Sequence, residues 1–258
     1  MIIQPFDPVA FSLGPIQVHW YGCMYLLGFL AAWRLCLARA PRYGLSSAQV
    51  SDFITWLMLG VLAGGRIGYV LFYELSVFLA NPLEILCLWH GGMSFHGGCC
   101  GVLTAAWIWA KRQKRSFWSM MDFIVPTAPP GLFLGRIGNF INGELWGAET
   151  TLPWGMATAP DMPLRHPSQL YEAGLEGLLL FIILWLYSSK PRPEGHVSGL
   201  FALLYAVFRC LVEFVRKPDP QLGYLAWGWL TMGQVLCLPM IALGCWLLCR
   251  KPSGENEA

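Results

Sequence analysis

Seven stretches of this chain are long and apolar enough to cross a lipid bilayer, at about 19–39, 50–72, 93–110, 119–141, 168–188, 197–216 and 227–249. A helical crossing needs roughly 20 residues, and inside hydrocarbon the backbone N–H and C=O groups must be satisfied within the segment itself. Charged residues make up 12% of the chain, about half the share of an average soluble protein. The expected fold class is therefore all-α: a polytopic membrane protein of about seven transmembrane helices, forming one integral-membrane domain over 1–258. The segment before the first stretch carries Asp7 and no Lys or Arg up to Val18, so it lacks the basic region of a cleaved signal, and the first helix is expected to remain.

Basic residues set the direction of the helices, because cytoplasmic loops are enriched in Lys and Arg. Eleven of the seventeen lie at Arg34, Arg39, Arg42, Lys111, Arg112, Lys114, Arg115, Lys190, Arg192, Arg250 and Lys251, following the first, third, fifth and seventh stretches. This predicts an outer N-terminus, a cytoplasmic C-terminus, a small outer loop region over 142–167 and a disordered cytoplasmic tail over 252–258. The remaining six, Arg66, Arg136, Arg165, Arg209, Arg216 and Lys217, fall on the outer side, against the bias. Arg216 and Lys217, beside a Pro-Asp-Pro run, read as snorkelling anchors. Arg66, Arg136 and Arg209 have more apolar sequence still to come, which predicts three cations converging at outer-leaflet depth. An ionised side chain at helix-centre depth costs about 2.5–3.5 kcal/mol on insertion scales, so such groups mark function by default. The fitting counter-charge is a phospholipid phosphate, which the planar guanidinium fork suits.

The densest polar motif runs Gly-Arg-Ile-Gly-Asn-Phe-Ile-Asn-Gly-Glu-Leu-Trp-Gly from Gly135 to Gly147. Gly65-Arg66-Ile67-Gly68 repeats its start seventy positions earlier, a match that chance or shared helix-packing chemistry also produces. In the sixth stretch Tyr205, Arg209 and Glu213 recur every four residues and share a helix face, with an Arg209–Glu213 ion pair as the purely structural reading. His166-Pro167-Ser168-Gln169-Leu170-Tyr171-Glu172 reads mostly as a helix start, with Gln169, Glu172 and Glu176 near one face, and Arg165 and His166 at the outer rim are placed to touch a lipid head group. His19-Trp20-Tyr21-Gly22 reads as an interfacial aromatic anchor, or as a Tyr21 hydroxyl turned inward. His90-Gly91-Gly92-Met93-Ser94-Phe95-His96-Gly97-Gly98 is too rich in glycine for a good helix start and reads as a tight or re-entrant loop. Two histidines six apart, with no third ligand at suitable spacing, do not predict a metal site. His96 is the better candidate for acid–base work, and His90 reads as interfacial. The nine cysteines contain no Cys-x-x-Cys pair and read as small buried hydrophobes.

Together these motifs resemble bacterial prolipoprotein diacylglyceryl transferase, from Asp7-Pro8 to about Pro239. The resemblance implies a transferase of the bacterial inner membrane, working on its outer, periplasmic side. Such an enzyme moves the diacylglyceryl group of phosphatidylglycerol onto the lipobox cysteine thiol of a prolipoprotein signal peptide and releases glycerol phosphate. It implies catalytic roles for Tyr21, His96, Arg136, Glu144 and Arg209, and substrate-binding roles for Arg136, Asn139, Gly147, Tyr205 and Glu213, to which the charge argument adds Arg66. No cofactor, metal or nucleic-acid partner is expected. Some members have a longer segment before the His-Pro-Ser-Gln motif, whereas here only residues 148–165 separate Gly147 from His166. Two other classes fit parts of the pattern. An anionic-solute transporter would explain buried arginines but not their clustering on one side. An intramembrane hydrolase would need a nucleophile and base, for which Ser94 and His96 are close enough in sequence.

Overall fold

The computed structural model describes residues 2, 6–14, 16–87, 91–218 and 223–250, so His90, Lys251 and the tail over 252–258 lie outside the described residues. The described residues are mostly helical, and among them five helical segments are long and apolar enough to cross a membrane: Trp20–Tyr43, Ser47–Phe72, Ser168–Tyr187, His196–Glu213 and Met232–Cys249. These match the first, second, fifth, sixth and seventh apolar stretches. The third stretch is an 18-residue helix whose apolarity is diluted by His96, Gly97, Gly98, Gly101, Lys111 and Arg112. The fourth is broken in two, because Val125-Pro126-Thr127 forms a 3₁₀ turn and Pro129 and Pro130 open a new helix. Proline lacks an amide donor, so a helix cannot run through this stretch unbroken, whereas it tolerates proline in its first turn. A short β-hairpin is the one departure from helix with a full strand pair among the described residues.

The chain divides into two compact units, Cys36–Phe123 and a second formed by Met1–Leu35 with Ile124–Ala258. In the first, Gly44, at φ +58°, ends the turn after α1 (Trp20–Arg39), and Ser46 and Gln49 close a reciprocal capping box that starts α2 (Ser47–Phe72). A six-residue helix, α3 (Leu75–Ala80), and a 3₁₀ turn at Pro82–Leu86 lead to α4 (Phe95–Arg112), and α5 (Phe117–Ile124) follows. The core of this unit is the seam between α2 and α4. Gly60, Gly64 and Gly68 of α2 face Gly97, Gly101 and Ala105 of α4, so that a Cβ at Gly64 would stand 2.7 Å from Gly101 Cα and one at Gly68 2.8 Å from Gly97 Cα. Backbone thus lies on backbone, the contact by which membrane helices associate when no hydrophobic drive separates them from lipid. Polar ties flank the seam: the Trp109 indole donates to Asp52 at 2.6 Å, and Arg39 donates to the Phe123 and Asp122 carbonyls at 3.2 and 3.1 Å.

In the second unit β1 (Val9–Leu13) pairs antiparallel with β2 (Ile16–His19), which runs directly into α1. The helix α6 (Pro129–Ile141) packs against a continuous run made of α7 (Ser168–Glu172), a π-helical stretch Ala173–Leu179 and α8 (Leu180–Tyr187). Gly177 allows the approach, since a Cβ there would meet Phe133 Cβ at 2.6 Å. The helices α9 (His196–Glu213) and α10 (Met232–Cys249) pack along their length, with Gly199 against Leu247 at one end and Glu213 against Gly233 at the other. Between α6 and α7 the chain forms a small backbone ladder, including Met156 N to Arg165 O at 2.9 Å and His166 N to Ala148 O at 3.0 Å.

Because a side chain at Gly64 has only backbone to displace, Gly64→Val should force the α2–α4 seam apart, at about 1–3 kcal/mol for overpacking. Thermal unfolding of the detergent-solubilised protein should show a Tm several degrees lower. Gly22→Val is the control, since no described atom lies within 4 Å of a Cβ there.

Candidate active site

Arg136 on α6, Arg209 on α9 and Arg216 just beyond α9 meet one carboxylate. Glu172, the last residue of α7, lies 2.5 Å from Arg136 Nε, 3.4 Å from Arg209 Nη1 and 2.5 Å from Arg216 Nη1. One helical turn on, in the π-helical stretch, Glu176 stands 4.0 Å from Arg136 Nη2 and from Arg209 Nη1. Glu213 pairs with Arg209 across a turn of α9, lies 3.4 Å from Arg216 Nε, and receives the Thr231 hydroxyl at 2.7 Å. Three guanidinium and three carboxylate groups therefore share one buried cluster. Desolvating any of them alone would cost several kcal/mol, and the mutual pairing offsets that penalty. Thr231 also caps α10 through a reciprocal pair with Gln234, so the helix start and the cluster are tied by one hydroxyl. A cavity of about 40 Å³, large enough for a few water molecules, is lined by Arg209, Glu213, Arg216, Thr231 and Gly233.

The arginines are unequal. The Arg209 side chain is 17% exposed and is held by three carboxylates, whereas the Arg136 side chain is 22% exposed and no described partner engages its Nη1. Arg136 consequently retains donors for an anion that the protein itself does not supply. Tyr205 lies one turn before Arg209 on α9, half-buried and stacked on Phe201 at 5.9 Å.

A second group of polar side chains is built by the turn that ends α6. Gly143 and Leu145 have φ of +69° and +58°, which folds the chain back so that Glu144 N bonds to Asn139 O at 2.9 Å. The exposed Glu144 carboxylate accepts from Asn139 Nδ2 at 3.3 Å and Asn142 Nδ2 at 3.2 Å. Ser168 and Gln169 of the His-Pro-Ser-Gln motif hold the Leu145 and Glu144 carbonyls in place. Gly147 is buried where a Cβ would strike the Val215 carbonyl and His166, so its role in the structure is close backbone approach. Gly138 does the same for Tyr21, whose ring occupies the space of its missing Cβ and whose hydroxyl meets that of Tyr25 at 3.2 Å.

The expected residues are thus distributed unevenly. Arg136, Arg209 and Glu213 are together, and Tyr21, Asn139 and Glu144 surround one end of α6. Glu144 stands apart from the arginines, being held by amides and making no ion pair among the described residues. Arg216 is not a snorkelling anchor, because two carboxylates hold it in the cluster. Arg66 and His96 belong to the Cys36–Phe123 unit. All three nitrogens of Arg66 face backbone carbonyls, and His96 is exposed in the first turn of α4. Ser94 caps that helix by accepting from Gly97 N at 3.2 Å and makes no hydrogen bond with His96 among the described residues, so the hydrolase dyad is not formed. Glu172 and Glu176, expected only as part of a helix start, and Thr231, not expected at all, also belong to the cluster. The signal for the first two was their burial-grade context, a pair of carboxylates one turn apart in an otherwise apolar run.

Residues 8–250 match the family model described as prolipoprotein diacylglyceryl transferase. A phosphatidylglycerol–prolipoprotein diacylglyceryl transferase of Nitratidesulfovibrio vulgaris is 60% identical over 263 residues, covering 100% of this chain and 99% of the relative. Proteins of the same description from Solidesulfovibrio magneticus and Pseudomonas fluorescens are 58% and 57% identical, over 100% and 98% of this chain and 100% and 97% of their own lengths.

Removing the shared carboxylate should leave three cations undercompensated. Glu172→Gln is expected to lower stability by about 3–5 kcal/mol, the usual penalty for breaking a buried pair from one side. Glu149→Gln, which removes the 65% exposed partner of Arg165, should cost under about 1 kcal/mol. Thermal unfolding of the two variants in one detergent checks both values.

Proposed function

This chain belongs to the prolipoprotein diacylglyceryl transferase family, and from that premise we propose that it transfers the diacylglyceryl group of phosphatidylglycerol to the lipobox cysteine thiol of a prolipoprotein. The products are a thioether-linked lipid and glycerol phosphate. The reaction is assigned to the outer, periplasmic side of a bacterial inner membrane that the chain crosses seven times as one integral-membrane domain, with 142–167 forming a small outer head. Helix in all seven apolar stretches and the one-sided distribution of basic residues support that topology.

The observation that carries the chemical reading is Arg136, fixed through Nε by a buried glutamate while Nη1 has no described partner. A thioether product requires sulfur to attack the glyceryl carbon. The carbon–sulfur bond forms as the carbon–oxygen bond breaks, and the oxygen leaves on the phosphate. Negative charge grows on that phosphate, and guanidinium donors already in position stabilise it without reorganising at the moment of reaction. Arg136 and Arg209 are assigned that task, with Glu172, Glu176 and Glu213 holding them in place. Asn139, Tyr205 and Gly147 are assigned to substrate binding, and Tyr21 and Glu144 to the reacting groups. The thiol must lose its proton to become a nucleophile, and His96 is assigned as the acceptor. A transporter of anionic solutes is the less favoured reading, because the relatives that match along nearly the whole chain are described as transferases.

Purified protein incubated with phosphatidylglycerol and a lipobox peptide should yield thioether-lipidated peptide, which neither a transporter nor a hydrolase produces. Lysine keeps the charge at position 136 but not the fork, so Arg136→Lys should insert normally and lose about 10²-fold or more in turnover. Near-normal turnover would remove bidentate phosphate binding from the mechanism. With a heavy oxygen isotope in the bridge between the diacylglyceryl carbon and phosphorus, the label should depart with glycerol phosphate. Its retention on the lipid side would mean attack at phosphorus.

A further inference from the structure

We infer that Arg66 is a positioning residue: it clamps the backbone of residues 84–87 and 91–92 and thereby fixes the start of α4, where His96 stands, instead of binding the lipid phosphate. The inference rests on the role proposed for His96. Arg66 is 4% exposed, and its guanidinium donates to five main-chain carbonyls among the described residues. Nε donates to Ile85 O at 3.0 Å, Nη2 to Glu84 O at 2.6 Å and Cys87 O at 3.2 Å, and Nη1 to Gly92 O at 3.1 Å and to Gly91 O. Every nitrogen of the fork is engaged, and the five acceptors come from nine consecutive positions. A phosphate could be bound only by giving these carbonyls up.

The rest of the Gly65-Arg66-Ile67-Gly68 motif serves the same segment. Gly65 O accepts from Ser94 N at 2.9 Å, and a Cβ at Gly65 would meet Met93 Cε at 2.6 Å. A Cβ at Gly68 would meet Gly97 Cα at 2.8 Å and Ser94 Cβ at 3.1 Å. Gly91 and Gly92, at φ +80° and +81°, adopt a backbone that other residues rarely take, and this turns both carbonyls to the same guanidinium nitrogen. Two residues further on Ser94 caps α4, and two after that comes His96. The chain therefore enters α4 from a loop shaped by one cation, and the direction of the His96 side chain is set by that entry.

Arg66→Lys and Gly91→Ala test the clamp from its two sides. Lysine is a point charge that cannot span five carbonyls. Alanine at 91 strains only the backbone, because no described atom lies within 4 Å of where its Cβ would stand. In the full-length protein each change should lower kcat for transfer to a lipobox peptide by about 10- to 100-fold, the scale of a misplaced catalytic group, and leave KM for phosphatidylglycerol within about twofold. The double variant should be little worse than either single one, since both act through one loop. Amide hydrogen exchange over 91–97 should quicken in both variants. A raised KM for phosphatidylglycerol with unchanged kcat and exchange would overturn the clamp in favour of phosphate binding. Multiplicative losses in the double variant, or a loosened loop with full turnover, would overturn it as well. A wild-type protein that forms no thioether would overturn the reaction itself, a result distinguishable because the exchange measurement does not depend on it.

Discussion

A carboxylate shared by three guanidinium groups is the constraint on which the second unit depends. Glu172 is 1% exposed, and no member of its cluster is tolerable in an apolar interior without the others. Satisfying it requires α6, α7 and α9 to meet at one point, and requires the chain beyond α9 to keep Arg216 within 2.5 Å of Glu172. The α10 cap is drawn in through Thr231 and Glu213. The π-helical stretch after Glu172 belongs to the same requirement. By inserting wider turns it departs from regular α-helical spacing where Glu172 and Glu176 must both address arginines, and such bulges often accompany functional positions.

The fold was legible wherever hydrophobic length alone decides it. The first, second, fifth, sixth and seventh apolar stretches became long helices because a twenty-residue apolar run has few other options. The fourth was legible as apolar and not as broken, although Pro126, Pro129 and Pro130 were in view; length outweighed proline in the reading, while in the chain the missing donors outweighed length. The site was half legible. Arg136, Arg209 and Glu213 are anomalous in apolar sequence and announced themselves. Glu172 and Glu176 are equally anomalous, but the helix-start signals of the His-Pro-Ser-Gln motif gave them a sufficient bland explanation. Arg216 was hidden by its position beside a loop, where a snorkelling arginine needs no partner.

The two Gly-Arg-Ile-Gly segments show how little a short motif fixes by itself. In both, the second glycine removes a Cβ so that a neighbour can approach: Gly97 and Ser94 in one case, Tyr21 in the other. The arginines diverge. Arg136 faces carboxylates, which neutralise it and leave donors over, whereas Arg66 faces carbonyl dipoles, which use each of its nitrogens. The difference lies in what the chain places opposite, Glu172 and Glu176 on a helix or the glycine-bent backbone of a loop.

The glycine seam between α2 and α4 also decides whether Arg66 keeps its partners. Arg66 lies in the last two turns of α2, and without the carbonyls of 84–87 and 91–92 it would be a guanidinium left to apolar sequence, which at helix-centre depth costs about 2.5–3.5 kcal/mol. The loop that offsets it is anchored at its far end by α4, through Ser94 and the contact of Gly97 with Gly64 and Gly68. On α2 alone that cation would lack these acceptors, and the pairing of α2 with α4 is what keeps its carbonyl partners in place.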